Sequence, residues 1–500
     1  MGQPTEPIEF GGEPAALTEK FIGSGEATSS FDADVIDALR LVCETSVNSL
    51  DTAQHGRDWW PLTMHWSLAG VIPRRPAAVC RPISTQQVSE IVRICAAHDI
   101  PLTVSGGRSG VCGAAIPIFG GVVLDTTSMS GICSVDSESG IVEVLSGTFG
   151  PEFEDELRVQ HQLTVGHFPQ SFDISTVGGW VACRGAGQFS TRYGKIEDMV
   201  VALEVVLADG SAITTGGAPA SATGPDLTSI FVGSEGTLGI VTRIWLRAHP
   251  LPLHERRAAY SIRCFNDGIK ICRDIIRAGA SPAVLRLYDQ FESARSHGAD
   301  GQVCTLLVLD TGDEILVEAT MQIVAAAAHR HGAIDGDVEL VERWMHHRND
   351  TSGLQALTRK GYIVETMEVS APWSKLPTIV DKVRSALLEI PGTRAATCHL
   401  SHSYLDGACL YFTFAAEVEH DKLDEHYVAL WDAAQRAAIS AGSNISHHHG
   451  IGINRGRFMA ESLGGAFDVL KTLKSALDPA DILNPGKLGL PSRRGNVVWP

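Results

Sequence analysis

Five hundred residues exceed what one compact core organises, so two or more domains are expected, and 44% hydrophobic with 20% charged residues is an ordinary globular balance. Against 40 Lys and Arg stand 58 Asp and Glu, and the formal net charge of -18 argues against a nucleic-acid partner, which would need a basic face. The first twenty residues lack a basic segment followed by an apolar core, and no apolar run is long enough to span a membrane, so a cytoplasmic protein is expected.

Up to residue 75 the chain reads as an N-terminal arm with one helical stretch, Asp34 to Cys43. Regular patterning starts with the apolar strand Pro76 to Cys80. Ser84-Thr85-Gln86-Gln87 has capping-box spacing and opens a helix through Val88 to His98. Strands follow at Pro101 to Val104, Val122 to Asp125 and Ile141 to Leu145, then a helix from Phe153 to His161. These elements lie too close together for a doubly wound nucleotide fold. A second unit, from about Gly166 to His249, holds strands Met199 to Leu207 and Ile240 to Leu246, with Ala208-Asp209-Gly210 as the hairpin turn between them. Pro250-Leu251-Pro252 reads as a linker. Beyond it, strands Cys304 to Leu309 and Ala408 to Phe414 and helices Glu314 to Gly332 and Asp424 to Ala441 suggest a sheet with helices on one face. Gly442 closes the last helix. Eleven cysteines stand singly, without a C-x-x-C pair, and read as reduced, buried thiols rather than a disulfide framework or zinc site.

Chemistry starts at the loop Ser105-Gly106-Gly107-Arg108-Ser109-Gly110-Val111. Its glycines free the backbone to aim successive N–H groups into one concavity, a nest that suits a pyrophosphate. The spacing matches neither G-x-G-x-x-G nor G-x-x-x-x-G-K-[ST]. Gly166 to Trp180, continuing through Cys183-Arg184-Gly185-Ala186-Gly187, joins hydroxyls to paired glycines, and so does Phe231 to Thr242. Small residues let backbone approach a flat ring system, and Ser and Thr hydroxyls can bond its polar edge. Three such stretches fit a large cofactor better than a phosphate alone.

In this order the stretches resemble the FAD-binding domain of the vanillyl-alcohol oxidase / p-cresol methylhydroxylase superfamily, and Gly166 to Asp209 looks most like the alkylglycerone-phosphate synthase family. The likeness continues in Ser281-Pro282-Ala283-Val284-Leu285-Arg286-Leu287, Ser370-Ala371-Pro372-Trp373, Ser401-His402-Ser403-Tyr404 and Gly407 to Phe412. It takes in Ser446-His447-His448-His449-Gly450 and closes at Leu477-Asp478-Pro479 and Asn484-Pro485-Gly486-Lys487, covering most of the chain after Pro76. The resemblance implies an α+β protein. An FAD-binding domain of two subdomains (76–252) follows the arm (1–75), then come an α/β cap over the flavin (253–440) and a partly helical C-terminal segment returning to the site (441–500).

By the same resemblance, Ser105 to Val111 hold the pyrophosphate. Gln170, Ser171, Ser175, Thr176, Cys183, Arg184, Gly185, Ala186, Glu235, Gly236, Thr237, Leu238, Gly239, Ile240 and Val241 line the rest of the FAD. Ser109 stands where some relatives tether the flavin through histidine, so the expected FAD is non-covalent. Tyr411 and His449 take acid–base roles, with His448 and His447 as further candidates from the same run; imidazole suits proton transfer near neutral pH. Arg286 matches a substrate-binding arginine, whereas Leu354 occupies the place of a second one, with Arg348 and Arg359 nearby but out of register. Relatives that oxidise D-2-hydroxy acids place two histidines and a glutamate around a metal; here Tyr411 and His448 stand near two of those places, and no metal is expected. The resemblance favours synthase-like chemistry at flavin N5 on a hydroxylated or acyl/alkyl-glycerone-type substrate, with oxidation of an alcohol or D-2-hydroxy acid as the alternative. A small-molecule or lipid-like substrate is expected, and a homodimer is left open.

Overall fold

The computed structural model describes residues 7–12, 16–17, 32–298 and 301–499. Ser84, with extended backbone, accepts the Gln87 N–H at 3.3 Å, while the Gln87 side chain reaches back to the Ile83 N–H at 2.8 Å. The helix so capped, Thr85–Ala97, buries Val88, Ile91, Val92 and Cys95 along one face. They pack with Leu102, Val122 and Leu124 of a four-stranded sheet. Its order is Glu44–Ser46, Ala78–Arg81, Val122–Asp125, Leu102–Ser105, with the last three strands parallel. The edge strand Glu44–Ser46, unforeseen in the sequence, ties the arm to this sheet. Leu102 also bridges Leu483, which brings the C-terminal segment back to the same place.

A second sheet has five antiparallel strands, ordered Ala212–Gly216, Val200–Val206, Ile240–Arg247, Ile141–Leu145, Ile132–Asp136. The turn at 208–210 does not lead to Ile240, as the sequence suggested. Asp209 accepts the Ser211 N–H at 2.8 Å and Gly210 adopts φ 77°, so the hairpin closes at once onto Ala212–Gly216. Ile240–Arg247 then inserts on the other flank of Val200–Val206. The single helix expected to His161 is instead the helix Gly150–Glu156 followed by a wider π-type turn over Leu157–His161.

Beyond residue 253 lies a seven-stranded antiparallel sheet. Helices Phe265–Arg277, Glu314–Arg330, Leu376–Glu389 and Leu423–Ala441 cover one face and share a core with it. Gly442, at φ 92°, ends the last helix in the left-handed conformation glycine tolerates. Strand alternation decides which side chains turn the other way. Leu285, Leu287, Leu306, Val308, Leu410 and Phe412 enter the helix-side core. Val284, Tyr288, Leu307 and Leu309 instead join the core of the second sheet's region. Arg286, His399 and Tyr411 lie between helix-side neighbours, so they too face away from the helices. The whole is a mixed helix-and-sheet protein, and no described helix is long and apolar enough to cross a membrane. All eleven cysteines are free.

Candidate active site

A cavity of about 760 Å³ opens between the glycine-rich loops and the face of the seven-stranded sheet turned away from those four helices, with the helices Glu339–His347 and Ser352–Arg359 contributing Trp344, His347, Leu354 and Thr358 to its lining. On the sheet side, register pairs Tyr288 with His399, His399 with Tyr411 and Tyr411 with Glu368, one row across four strands. The His399 and Tyr411 rings stack at 4.7 Å, 15° from parallel. Arg286 donates to His399 Nε2 at 2.7 Å and to the Tyr288 hydroxyl at 3.0 Å. The chain then contributes its histidine run: His448 and His449 line the cavity with ring centres 6.0 and 5.5 Å from Tyr411. Burial pushes the Tyr411 phenol above its ordinary range and holds His399 below that of histidine. Tyr411 is therefore a neutral hydrogen-bond donor, and His399 is a neutral imidazole.

His447 sits behind the lining. Its Nε2 meets the Tyr404 hydroxyl at 2.7 Å, and its Nδ1 lies 2.8 Å from His448 Nδ1. His402 joins them from the strand Thr393–Ser403, its Nδ1 2.6 Å from Ser190 Oγ. Burial holds these three imidazoles well below their ordinary pKa. Among the described residues this is the one grouping with donor atoms close enough to hold a metal ion, within 4.8 Å of one another. The resemblance led to no metal being expected, because a carboxylate and an imidazole of the relatives' ligand set are lost here; the fold nevertheless gathers three imidazoles, His402, His447 and His448.

The opposite wall is mostly backbone. A Cβ on Gly106 would lie 2.3 Å from Thr176 Oγ1, and one on Gly107 would lie 2.0 Å from the Ile174 carbonyl oxygen, so the loop rests directly on 174–176. All seven residues from Ser105 to Val111 line the cavity, as do Gln170, Ser171, Ser175, Thr176, Cys183, Gly185, Ala186, Glu235, Gly236, Gly239, Ile240 and Val241. Four of the nominated residues do not: Arg184 caps the helix Val177–Cys183 in the left-handed conformation and pairs with Glu197 at 3.1 Å, the Thr237 hydroxyl bonds the Ser234 carbonyl, Leu238 is core, and His447 is as described. Glu235 turns its carboxylate to the N–H groups of Ile451 at 2.6 Å and Gly452 at 2.9 Å, stitching the wall to the turn after the histidines.

Ser105 Oγ, Ser146 Oγ and both ring nitrogens of His167 are buried on this wall with no protein hydrogen bond. Orphaned polar groups along a glycine-lined slot fit a large polar ligand that completes them. His167 and Ser146 were not singled out from the sequence. Neither was His399, although its apolar neighbours Cys398 and Leu400 carried the signal of a side chain turned out of a core. Of the two out-of-register arginines, Arg348 lines the cavity and Arg359 does not. Arg348 donates to Gln188 Oε1 at 2.7 Å and packs over Phe168 and Phe189.

Residues 76–216 match the family model "FAD binding domain" and 251–488 match "FAD linked oxidases, C-terminal domain". The FAD-linked oxidoreductase YgcU of Escherichia coli (strain K12) is 33% identical over 433 residues, 83% of this chain and 89% of its own. The chain belongs to the FAD-linked oxidoreductase family. Alkyldihydroxyacetonephosphate synthase of Dictyostelium discoideum is 27% identical, covering 84% of this chain and 74% of its own. A solved alkyldihydroxyacetonephosphate synthase superposes with a TM-score of 0.78 at 22% identity, over 94% of this chain and 88% of the other. Glycolate oxidase subunit GlcD of Bacillus subtilis (strain 168) is 29% identical over 85% of this chain and 91% of its own. FAD is the cofactor of this FAD-linked oxidoreductase, and the slot with its unpartnered Ser105, Ser146 and His167 fits it.

Proposed function

We propose that this chain oxidises a small, polar, anionic alcohol, with a hydroxy acid as the substrate class that fits best. The observation that carries the reading is the chemistry of the cap-side wall. Among its lining residues between 286 and 449, Trp344, Leu354 and Val364 are the apolar ones apart from tyrosine. Arg286, Arg295, Arg343 and Arg348, several histidines, the carboxylates Glu292, Asp350 and Glu365 and a set of neutral polar side chains make up the rest, which leaves little apolar surface on this wall for a long alkyl chain. Arg286 and Arg348 have no carboxylate within 4.0 Å among the described residues. A desolvated guanidinium facing a cavity favours an anionic ligand.

FAD, when bound, supplies the acceptor for a hydride from the carbinol carbon. The protein's share is binding and proton handling. Tyr411 donates a hydrogen bond to the substrate oxygen, His449 takes the hydroxyl proton, and the arginines hold the acid group so that the carbinol is presented to the glycine-lined side. Ser109 faces the cavity in the loop, and no covalent tether through it is proposed.

Exchange of acyl for alkyl on a glycerone phosphate is the second reading, favoured by Arg286, Tyr411 and His449 all reaching one cavity. One experiment separates the two. Glycolate, D-lactate and longer hydroxy acids are added anaerobically to the holoenzyme and the flavin absorbance is followed; lasting bleaching supports oxidation. Release of fatty acid against a labelled fatty alcohol, with no lasting bleaching, would sink it in favour of exchange. Acid precipitation adds a check on the cofactor: yellow colour is expected in the supernatant.

A further inference from the structure

Glu368 completes the cross-strand row beside Tyr411, yet its carboxylate does not line the cavity. It is fully buried, and the histidine run is wrapped around it. Oε1 accepts the N–H groups of His447 at 3.1 Å, His448 at 3.0 Å and His449 at 2.8 Å, and also the Ser446 hydroxyl at 2.8 Å. Three successive N–H groups converge on one oxygen only where the backbone curls into a nest. Oε2 accepts from Arg455 and lies 3.0 Å from His449 Nδ1, at ion-pair distance but off the axis of a hydrogen bond. Arg455 is itself fully buried, donates to the Ile445 carbonyl at 2.8 Å and lies over Trp431. Burial alone would raise the carboxyl, yet Arg455 and the neighbouring histidines hold Glu368 well below the carboxylate range.

A buried ion pair is a poor device for stability alone, because well-packed apolar side chains often serve as well. What apolar side chains cannot supply is an acceptor for three amides and a partner for an imidazole. We infer that Glu368 is the positioning residue of the active site: it builds the Ser446–His449 turn and holds His449 with Nδ1–H toward the carboxylate, leaving Nε2 unprotonated toward the cavity. His449 Nε2 has no protein hydrogen bond among the described residues, as a nitrogen reserved for substrate requires. The inference rests on the acid–base use of His449 proposed above, whereas the tautomer it names can be read without any substrate.

The test is ¹⁵N–¹H correlation of histidine-labelled holoenzyme near neutral pH, with the His449→Gln variant identifying the ring signals. In the wild type the Nδ1–H tautomer is expected. E368Q alone would leave a buried guanidinium unpaired, so it is combined with Arg455→Gln. The amide nitrogen then faces His449 as a donor, and a switch to the Nε2–H tautomer is expected with FAD retained. Where a hydroxy acid bleaches the wild-type flavin, bleaching in the double variant should be at least ten-fold slower with little change in KM. An Nε2–H tautomer in the wild type overturns the inference, and so do unaltered His449 signals in the double variant. The expected tautomers with no hydroxy acid active would uphold the positioning role and count against the proposed oxidation alone.

Discussion

The two walls of the cavity are built by opposite means. The glycine-lined wall, the flavin side of the proposed function, is assembled from contiguous stretches that present mostly backbone, and Ser105, Ser146 and His167 on it have no protein hydrogen bond. The cap-side wall is assembled from single side chains on separate strands, Arg286, His399 and Tyr411, plus one turn held on Glu368. Backbone recognition suits a cofactor that stays, whereas side chains tuned by burial suit a substrate that is changed and released. If this division of labour holds, substitutions on one wall should spare the function of the other.

The largest effect expected is on the cap side. Tyr411→Phe keeps the ring that stacks on His399 and removes the hydroxyl alone. Proton-transfer and hydrogen-bond roles of this kind are worth about 10²- to 10⁴-fold in rate. Flavin reduction in anaerobic stopped-flow should slow by that order while FAD content per chain stays at the wild-type level. Loss of FAD from Tyr411→Phe would break the comparison, because the cap wall would then be holding cofactor.

The same division explains what was legible in the sequence. A glycine-rich loop is read from neighbours in the chain, so 105–111, 170–176 and 235–241 could be nominated, and nearly all of them line the slot. The misses there, Arg184, Thr237 and Leu238, came from carrying whole stretches over without asking which side chain closes a helix or fills a core. On the cap wall the information is spread over separate strands and a turn between Arg286 and His449. Alternation in Val284 to Leu287 was available, but the strand carrying His399 was not foreseen, and nothing local says that Glu368 lies across from Tyr411. The turn at 208–210 was correctly placed and its partner misjudged, because a turn signal fixes the hairpin it closes and not the strand that pairs on the far flank.

An effect of intermediate size is expected on the flavin side. Gly107→Ala would force a Cβ to 2.0 Å from a backbone oxygen, and backbone cannot yield as a side-chain tip can. Overpacking of this kind costs about 1–3 kcal/mol. Purified Gly107→Ala should carry less FAD, with an affinity about ten-fold weaker by titration of the apoprotein. In Gly110→Ala the nearest protein atom to the new Cβ is an Asp58 carboxylate oxygen at 3.8 Å, so the loop is not displaced and a smaller loss of FAD affinity is expected. Equal losses in both variants would show that loop flexibility, not close approach, sets the affinity.

The smallest effect concerns His167, the one imidazole among the unpartnered groups of the flavin wall. Burial brings its pKa down to about 3, against an ordinary value near 6.5. The unfolded chain therefore takes up a proton at this residue below about pH 6.5 while the folded chain does not. Its contribution to stability is complete above that pH and is lost progressively as pH falls toward about 3. Between pH 7.5 and 5.5 the loss amounts to about 1 kcal/mol. His167→Phe keeps an aromatic ring against Trp180 and removes the titration, so urea unfolding at saturating FAD should show the wild type losing about 1 kcal/mol more than the variant over that interval. Equal losses would mean that His167 takes up a proton in the holoenzyme as readily as in the unfolded chain, and burial on this wall would then not keep the imidazole neutral.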